Sequence, residues 1–310
     1  MVVGDIVRLP PTRLDKCTCL LGTLADDRPA DETDFPVRRV PRSMAPSGDW
    51  RLVPEAARSG SVNMALDEVA ARTAAAGGPW TVRVYSWSPS TLSLGYAQAS
   101  ETVDWDFCER AGIDVTRRQT GGGGIYHDRF GDVSYAIVAP AEELPGDLLD
   151  AYHVLLEPVL DAFERLGLAA TFPESASPAV YAPACYLRAL HPAHDLVVDG
   201  RKISGNAQYR QRDAVIQHGS VTYARRVDRH LGVFADPPSP AAFTDRVTSV
   251  REQTGLDRGT VVRTLEAALA DWCDAERGSW TDEELAAAER LAATKYASPD
   301  WVRDRAQARG

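Results

Sequence analysis

The chain has 310 residues and a formal net charge of −10 at pH 7. This acidic balance argues against nucleic-acid binding as the main function, and no apolar run approaches the length of a membrane span. The length allows one large domain with a small appendage. Five scattered cysteines and the lack of a signal peptide are typical of a reduced, cytoplasmic protein.

The first 47 residues show no apolar periodicity and are rich in proline and charge. This composition predicts a disordered leader, or a start codon assigned too far upstream with Met44 as a candidate first residue. The following pattern predicts a helix over 63–76, strands over 80–87 and 91–95, and a short helix over 104–111.

A run of four glycines joins a predicted strand over 113–118 to strands over 125–127 and 132–138. Such a run frees backbone N–H groups and lets a ligand lie against the main chain. It is neither a Walker loop nor a dinucleotide fingerprint, because no Gly-Lys-Ser/Thr follows and the next element is a strand. Arg117 and Arg118 before the run and His127 after it favour an anion or acyl site over a merely flexible hairpin.

A lysine marks the second informative segment. After a predicted amphipathic helix over 147–166, the turn Asp199-Gly200 predicts a hairpin with strands over 194–198 and 201–207, and a further strand covers 214–223. Lys202 lies in this hairpin and is one of only three lysines among 34 basic residues. Codon bias is one explanation; the other is that the position needs a compact ammonium that can in principle lose its proton.

The C-terminal region reads as helical. The pattern predicts helices over 240–250, 259–277 and 281–295, and the pair Pro237-Pro238 indicates a boundary before them. The predicted organisation is therefore a leader over 1–47, a catalytic domain over 48–236 and a helical segment over 237–310.

Three segments together resemble a known family. The runs NMALDE at 63–68, RRQTGGGGIYHD at 117–128 and DLVVDGRKISGNAQ at 195–208 resemble the lipoate-protein ligases and octanoyltransferases, which are relatives of the biotin ligases. The resemblance implies an α+β fold of the class II synthetase and biotin-ligase type, with a mixed, largely antiparallel sheet flanked by helices. It implies a tunnel for lipoate or octanoate under the glycine run, and Lys202 as a catalytic residue. The predicted substrate-binding residues are Arg118, Gly121, Gly122, Gly123, Gly124, His127, Gly205, Asn206 and Ala207.

Cys185 leaves the type of reaction open. Octanoyltransferases of the ligase-like branch have a nucleophilic cysteine in a similar position, whereas ligases generally lack it. A lysine ammonium nearby would favour the reactive thiolate, although free cysteine is often only a small buried hydrophobe. The main prediction is a lipoate-protein ligase that uses ATP and Mg²⁺ to make a lipoyl-adenylate. The alternatives are an octanoyl or lipoyl transferase acting through Cys185 with Lys202, and a non-catalytic subunit that binds lipoyl domains.

The resemblance also implies partners. The expected acceptors are the lipoyl domains of 2-oxoacid dehydrogenases or the glycine-cleavage H protein. The region after residue 236 is short for the accessory domain of larger ligases, so a small accessory subunit or an acyl carrier protein is a further expected partner. Basic residues outnumber acidic ones, six to three, over 195–226, which predicts a locally positive site. Cys185, His191 and His194 lack a fourth ligand at a zinc spacing, so no metal site is predicted.

Overall fold

A computed structural model of the chain describes residues 46–210 and 213–305. Residues 1–45 of the predicted leader, Met44 included, lie outside the described residues, so the leader stays a prediction. The strands are β1 (Trp50–Val53), β2 (Ala57–Arg58), β3 (Trp80–Trp87), β4 (Thr91–Leu94), β5 (Asp114–Arg117), β6 (Ile125–His127), β7 (Asp132–Pro140), β8 (Asp195–Val198), β9 (Arg201–Arg210), β10 (Ala214–Thr222) and β11 (Glu276–Arg277).

The α-helices lie mainly before β3 and after β10. They are α1 (Gly60–Ala75), α2 (Trp105–Arg110), α3 (Leu148–Arg165), α4 (Val227–Gly232), α5 (Pro240–Arg246), α6 (Val250–Thr254), α7 (Arg258–Cys273), α8 (Asp282–Leu291) and α9 (Pro299–Val302). Helix α1 begins three residues before the predicted start, because the Ser59 side chain accepts a hydrogen bond from Val62 N and caps it. Asp147 caps α3 in the same way, at the predicted position.

The main sheet has the strand order β11-β1-β3-β7-β10-β9-β8, with β2 beside β3. The neighbouring strands β3, β7, β10, β9 and β8 pair antiparallel in that order, whereas β1 runs parallel to both β3 and β11. One face packs on α3 and α7, and the other packs on α1 and α8. The predicted mixed, largely antiparallel sheet flanked by helices is therefore confirmed. A second sheet, in the order β5-β4-β6, carries the glycine run after β5.

The C-terminal region departs from its predicted helices. The predicted helix over 259–277 ends at Cys273, because Asp274 adopts a left-handed conformation (φ 52°) and redirects the chain into β11, which pairs with β1. The predicted helix over 240–250 is interrupted where Thr248 N donates to Lys202 O, since the chain there runs beside β9. The described part of this region thus adds β11 to the main sheet and places α7 and α8 on its two faces.

Candidate active site

A pocket lies between the sheet face under α1, the glycine run and the segment that precedes β8. Most of the predicted site residues line it: Arg118, Gly121, Gly122, His127, Cys185, Lys202, Gly205, Asn206 and Ala207. Met64, Tyr85, Trp87 and Ile125 supply apolar walls. Gly123 and Gly124 are absent from this lining; they contact the backbone of the segment that carries Cys185.

An irregularity in strand pairing aims Lys202. Leu196 pairs with Ser204, but the next residue, Val197, pairs with Lys202, so β9 contains one extra residue at this point. Side chains alternate between the two faces of a sheet, and an extra residue reverses the alternation. Lys202 therefore lies on the same side as Gly205, where an added Cβ would stand 3.2 Å from Lys202 Cε. The bulge turns the lysine into the pocket.

Lys202 is a buried ammonium with a carboxylate partner. Its Nζ lies 2.7 Å from Asp195 Oδ1, and both side chains are 2% exposed. Burial alone would lower the pKa of Lys202, but the charge and hydrogen bond of Asp195, together with Cys185, raise that pKa above its usual value. Burial likewise opposes ionisation of Asp195, yet Lys202 holds the pKa of the carboxyl well below its usual range. The lysine is thus held charged, contrary to the idea that it can lose its proton.

Cys185 meets this ammonium at one end of the pocket. Lys202 Nζ donates to Cys185 O at 2.9 Å and lies 3.9 Å from Cys185 Sγ. The thiol is not in a disulfide and is partly exposed, at the start of a 3₁₀ turn. A Cβ at Gly205 would also stand 3.2 Å from Sγ, so the glycine gives the thiol and the ammonium room to approach.

The last two glycines of the run pair with the cysteine segment. Gly124 N donates to Pro183 O at 2.7 Å, and Cys185 N donates to Gly124 O at 2.9 Å. A Cβ at Gly123 would stand 2.7 Å from Pro183 O and 2.9 Å from Cys185 N, which is too close for any side chain. Gly123 and Gly124 therefore allow two backbones to touch, and this contact brings Cys185 to the pocket.

Arg118 holds the glycine run from inside. Its guanidinium donates to the backbone oxygens of Ser93, Gly121 and Gly123 at 2.7–2.8 Å. The side chain is buried, and burial lowers its pKa to about 10. Gly122 has φ of +93°, in the left-handed region that favours glycine. Arg118 thus lines the pocket while its donors bind the loop.

His127 is buried against the indole of Trp87, with ring centroids 3.9 Å apart. Its Nδ1 is 2.5 Å from Asp132 Oδ2, and its Nε2 is 2.9 Å from Ser93 Oγ. Burial outweighs the carboxylate and lowers the pKa of His127, so the imidazole is neutral near pH 7. Both ring nitrogens have protein partners, which fixes the orientation of the ring beside the pocket.

Asp195 and His218 are among the pocket residues outside the predicted set. Asp195 holds Lys202, and an acidic residue opening a strand seven positions before a rare lysine was the available signal. His218 has Asp67 at 3.0 Å from Nδ1 and Thr120 at 2.8 Å from Nε2. No local pattern predicts this arrangement, because its partners lie 151 and 98 residues away in the chain.

The C-terminal end of the described chain reaches the base of the glycine run. Arg117, which is fully buried, donates to the backbone oxygens of Trp301 and Val302 and to those of Gly95 and Gln98. In return Trp301 Nε1 donates to Arg117 O at 2.8 Å. Burial lowers the pKa of Arg117 to about 10. Adjacent arginines therefore serve two purposes: Arg118 binds the loop, and Arg117 binds the C-terminal segment.

The paired histidines before β8 and the basic residues over 195–226 both have protein partners in the structure. His191 and His194 stack with ring centroids 4.9 Å apart, and in the described ranges no three His, Cys, Asp or Glu side chains are grouped to hold a metal ion. The locally positive strip is partly neutralised, because Arg201 and Arg225 both pair with Glu252.

A family model described as the lipoyl protein ligase A/B catalytic domain matches residues 59–271. The chain belongs to this family. The matched range contains every predicted site residue, and the chain is an enzyme of the lipoate ligase and octanoyltransferase family, as predicted. Among the helices of the described residues, none is long and apolar enough to cross a membrane.

Curated relatives in this family carry the name octanoyltransferase LipM. The relative from Brevibacillus brevis is 30% identical over 274 residues, covering 81% of this chain and 98% of the relative. The relative from Geobacillus kaustophilus is 32% identical over 278 residues, covering 81% and 97%.

Solved structures of the family share the fold. A lipoate-protein ligase A bound with ATP is similar with a TM-score of 0.69 and 24% identity, covering 82% of this chain and 98% of that one. A bi-partite lipoate protein ligase from Thermoplasma acidophilum gives a TM-score of 0.69 and 23% identity, covering 84% and 98%. These likenesses confirm the predicted fold class.

Proposed function

We propose that this enzyme transfers an octanoyl group from a carrier thioester to the lysine amine of a lipoyl domain, through a thioester on Cys185. The observation that carries the proposal is the approach of Lys202 Nζ to Cys185 Sγ, 3.9 Å apart in a pocket with apolar walls. The names of the LipM relatives, which this chain covers over nearly their whole length, support an octanoyl group.

The first step makes the acyl-enzyme. The Cys185 thiolate attacks the carbonyl carbon of the donor thioester, and a C–S bond to Cys185 forms. The tetrahedral intermediate then expels the donor sulfur as a thiolate, which takes up a proton. The Lys202 ammonium stabilises negative charge on Sγ before the attack and on the carbonyl oxygen during it, because a fixed cation in a dry site needs no reorganisation.

The second step passes the acyl group to the acceptor. A neutral lysine amine attacks the thioester carbon, the C–S bond to Cys185 breaks, and the Cys185 thiolate is regenerated while the amine loses a proton. Asp195 is proposed to keep Lys202 charged and aimed through both steps, since it stands 2.7 Å from Nζ. A carboxylate oxygen of Asp195 also accepts from His191 N at 2.9 Å, which fixes its own position.

The acyl chain is proposed to lie under the glycine run, against Met64, Tyr85, Trp87 and Ile125. Arg118 and His127 would shape this channel, because their polar groups already have protein partners. Gly121, Gly122, Gly205, Asn206 and Ala207 would let the ligand approach the main chain.

The proposed partners follow from the reaction. An octanoyl carrier protein would be the donor, and lipoyl domains of 2-oxoacid dehydrogenases or the glycine-cleavage H protein would be the acceptors. The proposal needs no accessory subunit. An ATP-dependent ligase, the first prediction from the sequence, has weaker support, because the ligase structures resemble this chain at under 25% identity and speak only to the fold.

The test is transfer without ATP. Incubation with octanoyl-carrier protein should add one octanoyl group to the peptide that contains Cys185, and neutral hydroxylamine should remove it. Addition of a lipoyl domain should move the group to the acceptor lysine. Release of pyrophosphate from ATP in the presence of lipoate or octanoate, with no acyl group on Cys185, would contradict the proposal and favour the ligase.

Gly205→Ala should slow acylation of Cys185 by about tenfold, with little effect on the thermal midpoint. The added methyl would press on both Sγ and Lys202 Cε at 3.2 Å and push them apart, and small misplacements of reacting groups are costly to rate. Single-turnover acylation and thermal unfolding measure the two effects. Gly146→Ala, where an added Cβ meets nothing within 4 Å, is the matched control. Full activity of Gly205→Ala would show that this space is not needed.

A further inference from the structure

Two hydrogen-bond donors bind one backbone carbonyl oxygen, that of Pro183, just before Cys185. Pro183 O accepts from Gly124 N at 2.7 Å and also from Gln98 Nε2 at 3.1 Å. Only one residue separates Pro183 from the cysteine, and Cys185 N is itself bound to Gly124 O. The position of the thiol therefore depends on what holds the Pro183 carbonyl.

The amide of Gln98 can take only one orientation. Gly95 N–H donates to Gln98 Oε1 at 3.2 Å, and the Pro183 carbonyl can only accept, so Nε2 must face it. Nε2 also lies 2.9 Å from Thr102 Oγ1. The side chain is 9% exposed, so water does not replace these contacts easily.

Arg117 binds the turn that carries Gln98. Gln98 O and Gly95 O each accept from Arg117 Nη1 at 2.7 Å, and Arg117 is bound in turn to the backbone oxygens of Trp301 and Val302. The turn also lies directly under the glycine run, since a Cβ at Gly95 would stand 1.9 Å from Gly122 O. An unbroken series of hydrogen bonds thus joins the C-terminal segment to the carbonyl before Cys185.

We propose that Gln98 is a positioning residue for Cys185, and that Arg117 with the C-terminal segment supports it in this role. This inference rests on the proposed function, in which Cys185 is the nucleophile. Gln98 holds the Pro183 carbonyl so that Sγ faces both Lys202 and the acyl carbon, without touching the substrate itself.

Gln98→Glu is the sharpest test. The carboxylate keeps an oxygen for Gly95 N–H, but it sets its other oxygen against Pro183 O and against Thr102 Oγ1, whose proton is donated to Ala99 O. It therefore removes both hydrogen bonds of Nε2, and the control below separates the two. Acylation of Cys185 from octanoyl-carrier protein should fall by about 10- to 100-fold. Binding of free octanoate, measured by calorimetry, and alkylation of Cys185 by iodoacetamide should each stay within about twofold, because neither needs the thiol aligned with a bound carbonyl. Hydrogen exchange of backbone amides over 181–187 should become faster.

Thr102→Val is the matched control. It removes the other partner of Gln98 Nε2 and leaves the bond to Pro183, so acylation should be unchanged. Unchanged acylation in Gln98→Glu, or equal losses of octanoate affinity and acylation, would overturn the inference while the proposed function stood. If the wild-type protein forms no thioester, the proposed function fails, and hydrogen exchange alone decides whether Gln98 holds the cysteine segment. Unchanged exchange would then reject the inference.

Discussion

Cys185→Ser is expected to abolish the octanoyl adduct on the protein and to lower ATP-independent transfer by at least about 10³-fold. A serine hydroxyl near neutral pH supplies almost no alkoxide, whereas the proposed mechanism needs an ionised sulfur as the nucleophile. The pocket itself should persist, because the contacts of this segment run through the backbone of residues 183–185. Octanoate affinity should therefore stay near the wild-type value, and intact-protein mass after incubation with donor reports the adduct.

Cys273→Ser is the control for the loss of a thiol. Burial raises the pKa of Cys273 to about 12, so this thiol is a poor nucleophile, and its Sγ already donates to Leu269 O at 3.3 Å, as a hydroxyl can. This variant should be acylated like the wild type. A Cys185→Ser protein that still transferred octanoyl without ATP at a comparable rate would rule out the thioester mechanism.

Lys202→Ala is expected to slow acylation by about 10²- to 10³-fold, the usual cost of losing one preorganised charge contact. The variant also leaves Asp195 buried without its partner, and such a lone charge destabilises a fold by about 3–5 kcal/mol. A lower thermal midpoint should therefore accompany the slower reaction. Single-turnover acylation and thermal unfolding separate the two.

A second variant keeps the rate loss interpretable if Lys202→Ala unfolds. The double replacement Lys202→Met with Asp195→Asn removes both charges together, so it should fold better than Lys202→Ala yet acylate as slowly. Lys202→Arg should not restore activity, because the planar guanidinium is larger than the ammonium and Lys202 already packs closely, with an added Cβ at Gly205 only 3.2 Å from its Cε. Wild-type rates in the folded double variant would remove Lys202 from the mechanism.

Local patterns predicted the secondary structure of the pocket well. The strands predicted over 80–87, 132–138 and 214–223 correspond to β3, β7 and β10, and the turn Asp199-Gly200, where both residues have positive φ, marked the hairpin of β8 and β9. Lys202 and the glycine run stood out because each departs from the composition around it. These signals depend only on neighbouring residues, which is why the sequence alone could carry them.

The precise placement of the site depends on contacts between distant residues. The extra residue in β9 that aims Lys202 is visible only once β8 is paired with it. Gly124 touches Pro183 across 59 positions of chain, and Arg117 touches Trp301 across 184. For the same reason the helical periodicity after residue 236 did not predict β11, which forms only because β1 is beside it.

The contact between Arg117 and residues 301–302 orders events during synthesis. A ribosome makes Cys185, Lys202 and the glycine run long before it makes Trp301, so a nascent chain holds the reactive groups without the support beneath the loop. Only a chain that has reached residue 302 can bind the buried guanidinium of Arg117 with the Trp301 and Val302 carbonyls. A polypeptide that stalls early, or is clipped near residue 295, retains every reactive side chain but leaves that cation with fewer partners. Support beneath the glycine run is therefore added only after the reactive groups have been made.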